Sequence, residues 1–226
     1  MFAKVKSQFG VTLVGGAPFG ASALAHALAL APALVAADGG ANQLLRLGAR
    51  PLAVLGDMDS ITVAARAAFA DVLHPISAQD DTDFDKSLAA IAAPFVLGLG
   101  FLGARMDHGL AVLSGLLHRP DLPVFLLGAR DVIFLAPPRL DLNLPKGTRV
   151  SLFPLAAVTG QSTGLAWPIA GIDFAPDRRI GTSNQALGGP IRLEFDAPKM
   201  LVILPRAQLP AALAGFGLPI DAARAE

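Results

Sequence analysis

The stretch Leu52-Ala53-Val54-Leu55-Gly56-Asp57-Met58-Asp59-Ser60 is an apolar run that ends in a glycine and two aspartates. Its apolar part, residues 52–55, predicts a buried strand, and the alanine-rich residues 60–73 predict a helix that follows it. The acidic loop would therefore lie at the carboxyl end of a strand, where open α/β sheets bind their ligands.

The same alternation of apolar runs and helical stretches extends on both sides of this segment. Further strands are predicted at residues 11–14, 34–37, 95–100 and 124–127. Helices are predicted at residues 21–31, 41–47, 84–93 and 107–118. Apolar strands that alternate with helices predict an α/β fold with a mostly parallel sheet flanked by helices.

The pattern changes after Pro137-Pro138. Residues 149–155, 191–195 and 200–204 are short β-type runs separated by Gly, Pro, Asn and Asp, and a helix is predicted only at residues 207–214. This pattern is typical of a small antiparallel β-sandwich or barrel. We therefore predict two domains, residues 1–140 and 141–226, with a boundary between Pro137 and Pro145.

Composition excludes several classes of protein. The chain carries 18 basic and 18 acidic residues, so it lacks the basic excess typical of nucleic-acid binding. With 53% hydrophobic residues it is too apolar to be disordered. It contains no cysteine, which excludes disulfides, thiolate metal sites and cysteine nucleophiles.

Two segments without Asp, Glu, Lys or Arg, residues 11–37 and 87–104, are long enough to cross a membrane. Both are interrupted by glycine and proline, so we expect short buried strands and helices and no membrane partner. A signal peptide is the rival interpretation of the first segment, because Lys4 and Lys6 precede it and small residues surround Ala36. The broken apolar core argues against it, and we expect a cytoplasmic protein.

Acidic residues are concentrated around the opening stretch. From Asp57 to Lys86 the chain holds seven aspartates and only two basic residues, a net charge of −5. Such carboxylates repel one another unless a cation intervenes, and Mg²⁺ prefers oxygen ligands. Asp57 and Asp59 share a face in an extended chain, so both can bind one ion. Alternatively, Asp59 or Ser60 only caps the next helix.

Three other loops add polar groups, each with a structural alternative. Thr82 could cap a helix with Asp83 and Asp85 in its first turn, whereas Asp80 lies ahead of that cap. The segment Asp38-Gly39-Gly40-Ala41-Asn42 is either a tight turn or a loop that binds a ligand. In another segment, Arg105 could bind phosphate, and it precedes Asp107 and His108 at the start of a predicted helix. Together the loops predict Mg²⁺-assisted phosphoryl-type transfer without a covalent nucleophile.

In these motifs the chain resembles the thiamin pyrophosphokinase family. Four segments match family motifs in order: Ala37–Asn42 (ADGGAN), Gly56–Ser60 (GDxDS), Asp80–Lys86 (D-x-T-D-x-x-K) and Gly103–His108 (G-x-R-x-D-H). Three later segments, Val150–Leu155, Gly164–Trp167 and Gly181–Asn184, also occur in the family's order. The resemblance covers about residues 11 to 205.

The resemblance implies an ATP- and Mg²⁺-binding catalytic α/β domain followed by a thiamin-binding β-sandwich domain. It implies a homodimer with the active site in a cleft at the dimer interface. The implied reaction converts ATP and thiamin to AMP and thiamin diphosphate, by attack of the thiamin hydroxyl on the β-phosphorus.

The family's site residues carry over by motif. The implied metal ligands, which also hold the triphosphate, are Asp57, Asp59, Asp80 and Asp83. The residues implied to position the phosphates and the attacking hydroxyl are Lys86, Arg105 and Asp107, beside His108. The nucleotide side is implied to involve Asp38, Gly39 and Asn42. The residues implied to contact thiamin are Trp167, Thr182, Ser183 and Asn184, although a lone Trp in a sandwich also serves as a core residue.

The chain departs from the family pattern at three positions. Gln185 replaces a common Glu, Asp81 is an extra acid, and Met106 replaces the commoner Leu. Of these departures, only Gln185 concerns thiamin recognition. Two alternatives to the implied function stay open. One is a Mg²⁺/ATP-dependent pyrophosphokinase for another hydroxymethyl heterocycle, and the other is a non-catalytic thiamin- or nucleotide-binding module.

Overall fold

The computed structural model describes residues 4–77, 82–103 and 105–218. These residues form two compact units, one that ends at Gly128 and one that begins at Ala129. The division comes earlier than the predicted boundary between Pro137 and Pro145. Pro137-Pro138 marks a turn between two strands of the second unit, because prolines end a strand as readily as they form a linker.

The first unit is built around a parallel sheet. Its strands are β1 (Val5–Lys6), β2 (Val11–Val14), β3 (Ala33–Ala37), β4 (Ala53–Gly56), β5 (Leu73–Pro75), β6 (Ile91–Ala92), β7 (Val96–Leu99) and β8 (Val124–Leu127). Its helices are α1 (Ala21–Leu30), α2 (Gly40–Arg46), α3 (Val63–Ala68), α4 (Asp83–Ala89) and α5 (Met106–Gly115). The parallel strands lie in the order β8-β7-β2-β3-β4-β5, and β1 pairs separately with β6.

Burial explains why these short runs form strands. Every residue of β2, β4, β7 and β8 is buried, as expected for parallel strands that are covered on both faces. Because β3 and β4 are parallel neighbours, the loops that follow them leave the same edge of the sheet. This pairing places Asp38 beside residues 57–60.

Among the helices of the described residues, none has the length and apolar character that a membrane span requires.

The predicted helices of the first unit are too long at three places. The helix expected over residues 60–73 is α3, followed by a 3-10 turn at Ala70–Val72 and the unpredicted strand β5. The helix expected over residues 84–93 ends at Ala89, since Ile91–Ala92 pairs with β1. The last turn of the helix expected over 107–118 is a 3-10 turn, Leu116–His118. At the first two places the alanine-rich sequence favours helix locally, and strand pairing overrides that preference.

The second unit consists of antiparallel sheets. Its strands are β9 (Asp131–Leu135), β10 (Arg139–Leu144), β11 (Arg149–Pro154), β12 (Gly160–Thr163), β13 (Gly181–Gln185), β14 (Gly189–Phe195) and β15 (Met200–Pro205). They pair in the orders β13-β11-β15-β9 and β10-β14-β12. The chain continues into α6 (Leu209–Gly215). The predicted fold class, α/β with a mostly parallel sheet followed by an antiparallel β region, is confirmed.

Candidate active site

Three aspartates meet at the carboxyl edge of the parallel sheet. One carboxylate oxygen from each of Asp38, Asp57 and Asp59 lies within 4.8 Å of the others. Asp38 follows β3 and is buried, whereas Asp57 and Asp59 follow β4 and are exposed. The sequence predicted Asp57 and Asp59 as a metal pair and placed Asp38 on the nucleotide side, so the structure adds Asp38 to the carboxylate cluster. Asp80 lies outside the described residues.

Backbone conformation brings these side chains close together. Gly56 has φ +140°, and a Cβ there would lie 2.9 Å from the Cβ of Asp38 and 3.0 Å from Oδ1 of Asp83. A side chain at Gly56 would therefore separate the carboxylates. Met58 has φ +69° and is buried, and its carbonyl accepts a 2.5 Å hydrogen bond from Arg66 of α3. The conformation of the turn that carries Asp57 and Asp59 is thus fixed by Gly56 and Met58.

Asn42 holds the same loop from α2. Its Nδ2 donates to the Ser60 carbonyl at 2.9 Å, and its Oδ1 accepts from both the backbone and the hydroxyl of Thr62 at 2.9 Å. The sequence placed Asn42 on the nucleotide side, yet both ends of its amide bind protein groups. Gly39 lies at the start of α2 beside this contact, where a Cβ would lie at an ordinary van der Waals distance of 3.4 Å from the Cβ of Ser60.

Helix capping accounts for part of the acidic sequence. Thr82 caps α4, since its hydroxyl accepts from the Asp85 backbone and donates to Asp85 Oδ2 at 2.6 Å. Asp85 also contacts His118. For Asp85 the structural alternative is therefore correct. For Asp59 and Ser60 it is wrong, because α3 is capped by Thr62.

A buried lysine joins the carboxylate cluster to α4. The Nζ of Lys86 donates to Asp57 at 2.7 Å and to Asp83 at 3.3 Å, and its side chain is only 4% exposed. Burial alone would lower the pKa of Lys86, but hydrogen bonds and charges from Asp57 and Asp83 raise it above its usual value. The hydrogen bond from Lys86 in turn lowers the pKa of Asp57. Lys86 is therefore a cation held against two of the predicted ligands.

Asp38 is the least satisfied group of the cluster. Its Oδ2 accepts a 3.0 Å hydrogen bond from the Ser60 backbone, but its buried Oδ1 has no hydrogen-bond partner among the described residues. Burial raises the pKa of Asp38, and the charge of Asp83 adds to the effect. A buried carboxylate oxygen without a partner, beside two further carboxylates, fits a hard divalent cation such as Mg²⁺.

We expect Asp38→Asn to stabilise the metal-free protein. A carboxylate with a raised pKa costs stability once the pH exceeds its usual value near 3.8, and the amide removes that cost. Asn also tolerates the φ of +38° at this position. The free energy of unfolding in urea with EDTA at pH 7 should rise by about 1 kcal/mol, and the gain should vanish near pH 3.

Asp196→Asn is the control of opposite sign, because hydrogen bonds from Thr159 lower the pKa of Asp196 and the substitution should destabilise at pH 7. A loss of stability in Asp38→Asn at pH 7 would contradict the electrostatic account of Asp38.

The fourth motif is not joined to the cluster. Arg105 donates to Asp107 at 2.5 and 3.1 Å at the start of α5, and both side chains and His108 are exposed. The hydrogen bond from Arg105 lowers the pKa of Asp107 to about 2. Within the described ranges, no hydrogen bond or ion pair connects these three residues to Asp38, Asp57 or Asp59.

The second unit contains a cavity of about 490 Å³ that three of the predicted thiamin residues line: Trp167, Thr182 and Asn184. Asn184 is buried and its amide holds the Trp167 backbone, accepting from the amide nitrogen at 3.2 Å and donating to the carbonyl at 2.7 Å. Trp167 is 59% exposed, so it is not a core residue.

Ser183 is exposed, with φ +64° and its backbone nitrogen bound to the Ser151 hydroxyl. Among the described residues, neither Ser183 nor Gln185 lines this cavity. Arg178 and Arg179, which belong to none of the predicted site motifs, also line it. The only available signal was the Arg-Arg pair that follows Pro176-Asp177.

Comparison with known proteins finds similarity to thiamin pyrophosphokinases. Residues 24–126 match the family model described as thiamin pyrophosphokinase, catalytic domain, and this range contains the whole carboxylate cluster. Thiamine pyrophosphokinase 1 of Arabidopsis thaliana is 27% identical, covering 74% of this chain and 76% of the relative. Thiamine pyrophosphokinase 1 of Oryza sativa subsp. japonica is 25% identical, covering 72% and 75%. Residues 24–126 of this chain therefore resemble the catalytic domain of the thiamin pyrophosphokinase family.

Solved thiamin pyrophosphokinase structures share the fold. The yeast thiamin pyrophosphokinase superposes with a TM-score of 0.74 at 15% identity, covering 90% of this chain and 92% of that one. The Candida albicans thiamin pyrophosphokinase gives 0.73 at 17% identity, covering 87% and 89%. The alignments therefore extend well beyond the residues that the family model matches.

Proposed function

We propose that this chain is a thiamin pyrophosphokinase, which transfers the pyrophosphoryl group of ATP to the hydroxyl of thiamin and releases AMP and thiamin diphosphate. The observation that carries the proposal is the cluster of Asp38, Asp57 and Asp59 at adjacent strand ends, inside the range that the family model matches. The plant relatives with this activity align over about three quarters of the chain.

The carboxylate cluster would hold Mg²⁺. The ligands proposed are Asp57 and Asp59 with Asp38, assisted by Asp83, whose Oδ1 reaches the Lys86 ammonium beside Asp57. Asp80 is proposed from its motif alone. A bound Mg²⁺ supplies positive charge that neutralises the triphosphate and the charge that develops on the leaving group.

Other residues of the first unit would bind and orient the phosphates. Lys86 is buried and fixed by two carboxylates, so its ammonium presents a positioned donor beside the metal ligands. The planar guanidinium of Arg105 can bind phosphate oxygens once its ion pair with the exposed Asp107 is broken. Asp107 then becomes free to orient the attacking hydroxyl, next to His108. Asn42 shapes the nucleotide side by holding the loop through Ser60 and Thr62, and Gly39 is proposed there from its motif.

The transfer step needs positioning more than a strong base. The thiamin hydroxyl oxygen forms a bond to the β-phosphorus, the bond from that phosphorus to the α–β bridging oxygen breaks, and AMP leaves with the electron pair. The hydroxyl proton passes to solvent. Since the transition state of phosphoryl transfer is loose, aligned phosphates and neutralised charge supply most of the catalysis.

The thiamin rings would bind in the second unit. The exposed face of Trp167 suits the thiazolium cation, and Thr182 and Asn184 provide polar groups in the same cavity. Ser183, which lies between Thr182 and Asn184 in the sequence, is proposed as a thiamin contact from its motif.

We also propose a homodimer in the cytoplasm, with no nucleic-acid or membrane partner. Support for the dimer comes from α5, where Met106 and Leu110 are one helical turn apart and are 79% and 60% exposed. An apolar strip of this kind on an enzyme surface is typical of a surface that a second chain covers.

The deciding experiment is a ³¹P spectrum of the purified protein with Mg²⁺, ATP and thiamin, beside a sample without thiamin. We expect thiamin-dependent AMP and thiamin diphosphate. ADP in place of AMP would show that a single phosphoryl group moves. Absence of turnover in a folded protein would favour another heterocycle or a binding module.

A further inference from the structure

The cavity of the second unit that Trp167, Thr182 and Asn184 line is positively charged. The charged side chains among its described lining residues are Arg178 and Arg179, and no carboxylate lines it. The remaining walls are apolar or neutral, including Trp167, Ile172 and Phe174. A cavity that took only a cationic ring would be expected to carry an acidic group, or at least no positive charge.

A tight turn presents the two arginines side by side. The Arg178 nitrogen donates to the Ala175 carbonyl at 3.1 Å, which closes the turn through Pro176, and the Ala175 nitrogen donates to the Arg179 carbonyl at 3.2 Å. Phe174 is buried and anchors the turn. The positions of both arginines are therefore set by backbone hydrogen bonds, and their side chains stay exposed.

Neither guanidinium has a side-chain partner in the described part of the chain. In residues 4–77, 82–103 and 105–218, no ion pair or side-chain hydrogen bond involves Arg178 or Arg179. By contrast, Arg139 and Arg192 of the same unit share the Asp141 carboxylate at 3.0 and 2.7 Å. Asp173 and Asp177 line a second cavity, which shares Phe174 and Arg178 with the first, yet neither carboxylate forms an ion pair with Arg178. Arg178 and Arg179 are thus uncommitted donors beside an aromatic wall.

This combination fits a ligand with both an aromatic part and phosphate groups. A guanidinium binds two phosphate oxygens in a planar fork, and Trp167 offers a ring surface in the same cavity. We propose that Arg178 and Arg179 form an anion subsite that binds the diphosphate of thiamin diphosphate, so that the cavity holds the product more tightly than it holds thiamin. The choice of this ligand rests on the proposed function. Thiamin itself, with its positive thiazolium, gains nothing from the two arginines.

Trp167 provides a direct probe, because the chain contains one tryptophan and no tyrosine. The metal-free protein in EDTA is titrated with thiamin diphosphate, thiamin, ATP and inorganic pyrophosphate, with fluorescence as the local signal and calorimetry for affinity. We expect thiamin diphosphate to bind roughly tenfold more tightly than thiamin, as two charge-assisted contacts would give. In the double variant Arg178→Gln, Arg179→Gln this preference should disappear while thiamin still binds.

The control is the double variant Arg139→Gln, Arg192→Gln, which removes two arginines of the same unit and should keep the preference. Urea unfolding shows that each variant is folded. If the Arg178/Arg179 variant keeps the tenfold preference, the inference is wrong. If ATP binds through these arginines as tightly as thiamin diphosphate does, the subsite belongs to the nucleotide and the assignment to the product is wrong.

The ³¹P experiment on the unaltered protein tests the proposed function separately. Even if no AMP forms in that experiment, the effect of the Arg178/Arg179 double variant on the binding of inorganic pyrophosphate can still be measured.

Discussion

Asp57→Asn is expected to lower the rate of thiamin diphosphate formation by about a hundredfold or more while the protein stays folded. The amide cannot supply the negative charge that a Mg²⁺ ligand needs, and the hydrogen bond from Lys86 to Asp57 loses its ionic character. Lys86 keeps Asp83 as a partner, so we expect a cost of about 1 kcal/mol in the free energy of unfolding. The measurements are the initial rate of AMP release and urea unfolding.

Asp71→Asn is the matched control for this variant. Asp71 is an exposed aspartate of the same unit that pairs with Arg50 at 2.6 Å, away from the carboxylate cluster. Its loss should leave the rate within a factor of two and change stability little, as is usual for exposed ion pairs. An Asp57→Asn protein with full activity, or one that fails to fold, would show that Asp57 is not a metal ligand.

The sequence was sufficient for the α/β core because its strands are buried on both faces. Continuous apolar runs such as Val11–Val14 and Val124–Leu127 are the direct signature of such strands. It failed at β5 and β6, where two or three residues form a strand only because a neighbouring strand pairs with them. It also missed β10, whose alternation of exposed and buried residues follows two prolines that resemble a linker.

The site was predictable to the level of loops and less so to the level of single side chains. Parallel topology requires that residues 38 and 57–60 leave adjacent strand ends, so their proximity follows from the fold. That Asn42 binds Ser60 and Thr62 depends on side-chain geometry across two elements, which sequence spacing does not encode. Sequence spacing likewise does not show that Arg178 and Arg179 line the same cavity as Trp167, which is why they were not predicted as site residues.

Gly40→Ala is expected to destabilise the protein by about 3 kcal/mol or more. A Cβ at Gly40 would lie 1.9 Å from the carbonyl oxygen of Val14 and 2.7 Å from its carbonyl carbon, so backbone and not a flexible side chain must move. β2 is buried throughout, which leaves α2 as the element that shifts. Because Asn42 of α2 holds the Ser60 loop, the shift should also weaken Mg²⁺ binding. Urea unfolding and Mg²⁺-dependent thermal shift measure the two effects.

Substitutions at two other glycines serve as controls. They distinguish the effect of the close approach at Gly40 from the general effect of replacing glycine by alanine. Gly109 lies in α5 with no heavy atom within 4 Å of a Cβ, so Gly109→Ala should stabilise by about 0.5–1 kcal/mol through helix propensity. Gly16 lies in the loop after β2, where a Cβ would meet Gly39 at an ordinary 3.8 Å, and Gly16→Ala should change stability little. If Gly40→Ala unfolded at the same urea concentration as these two, α2 would not pack directly on the end of β2. The link from α2 to the metal loop would then fail as well, because the position of Asn42 depends on that packing.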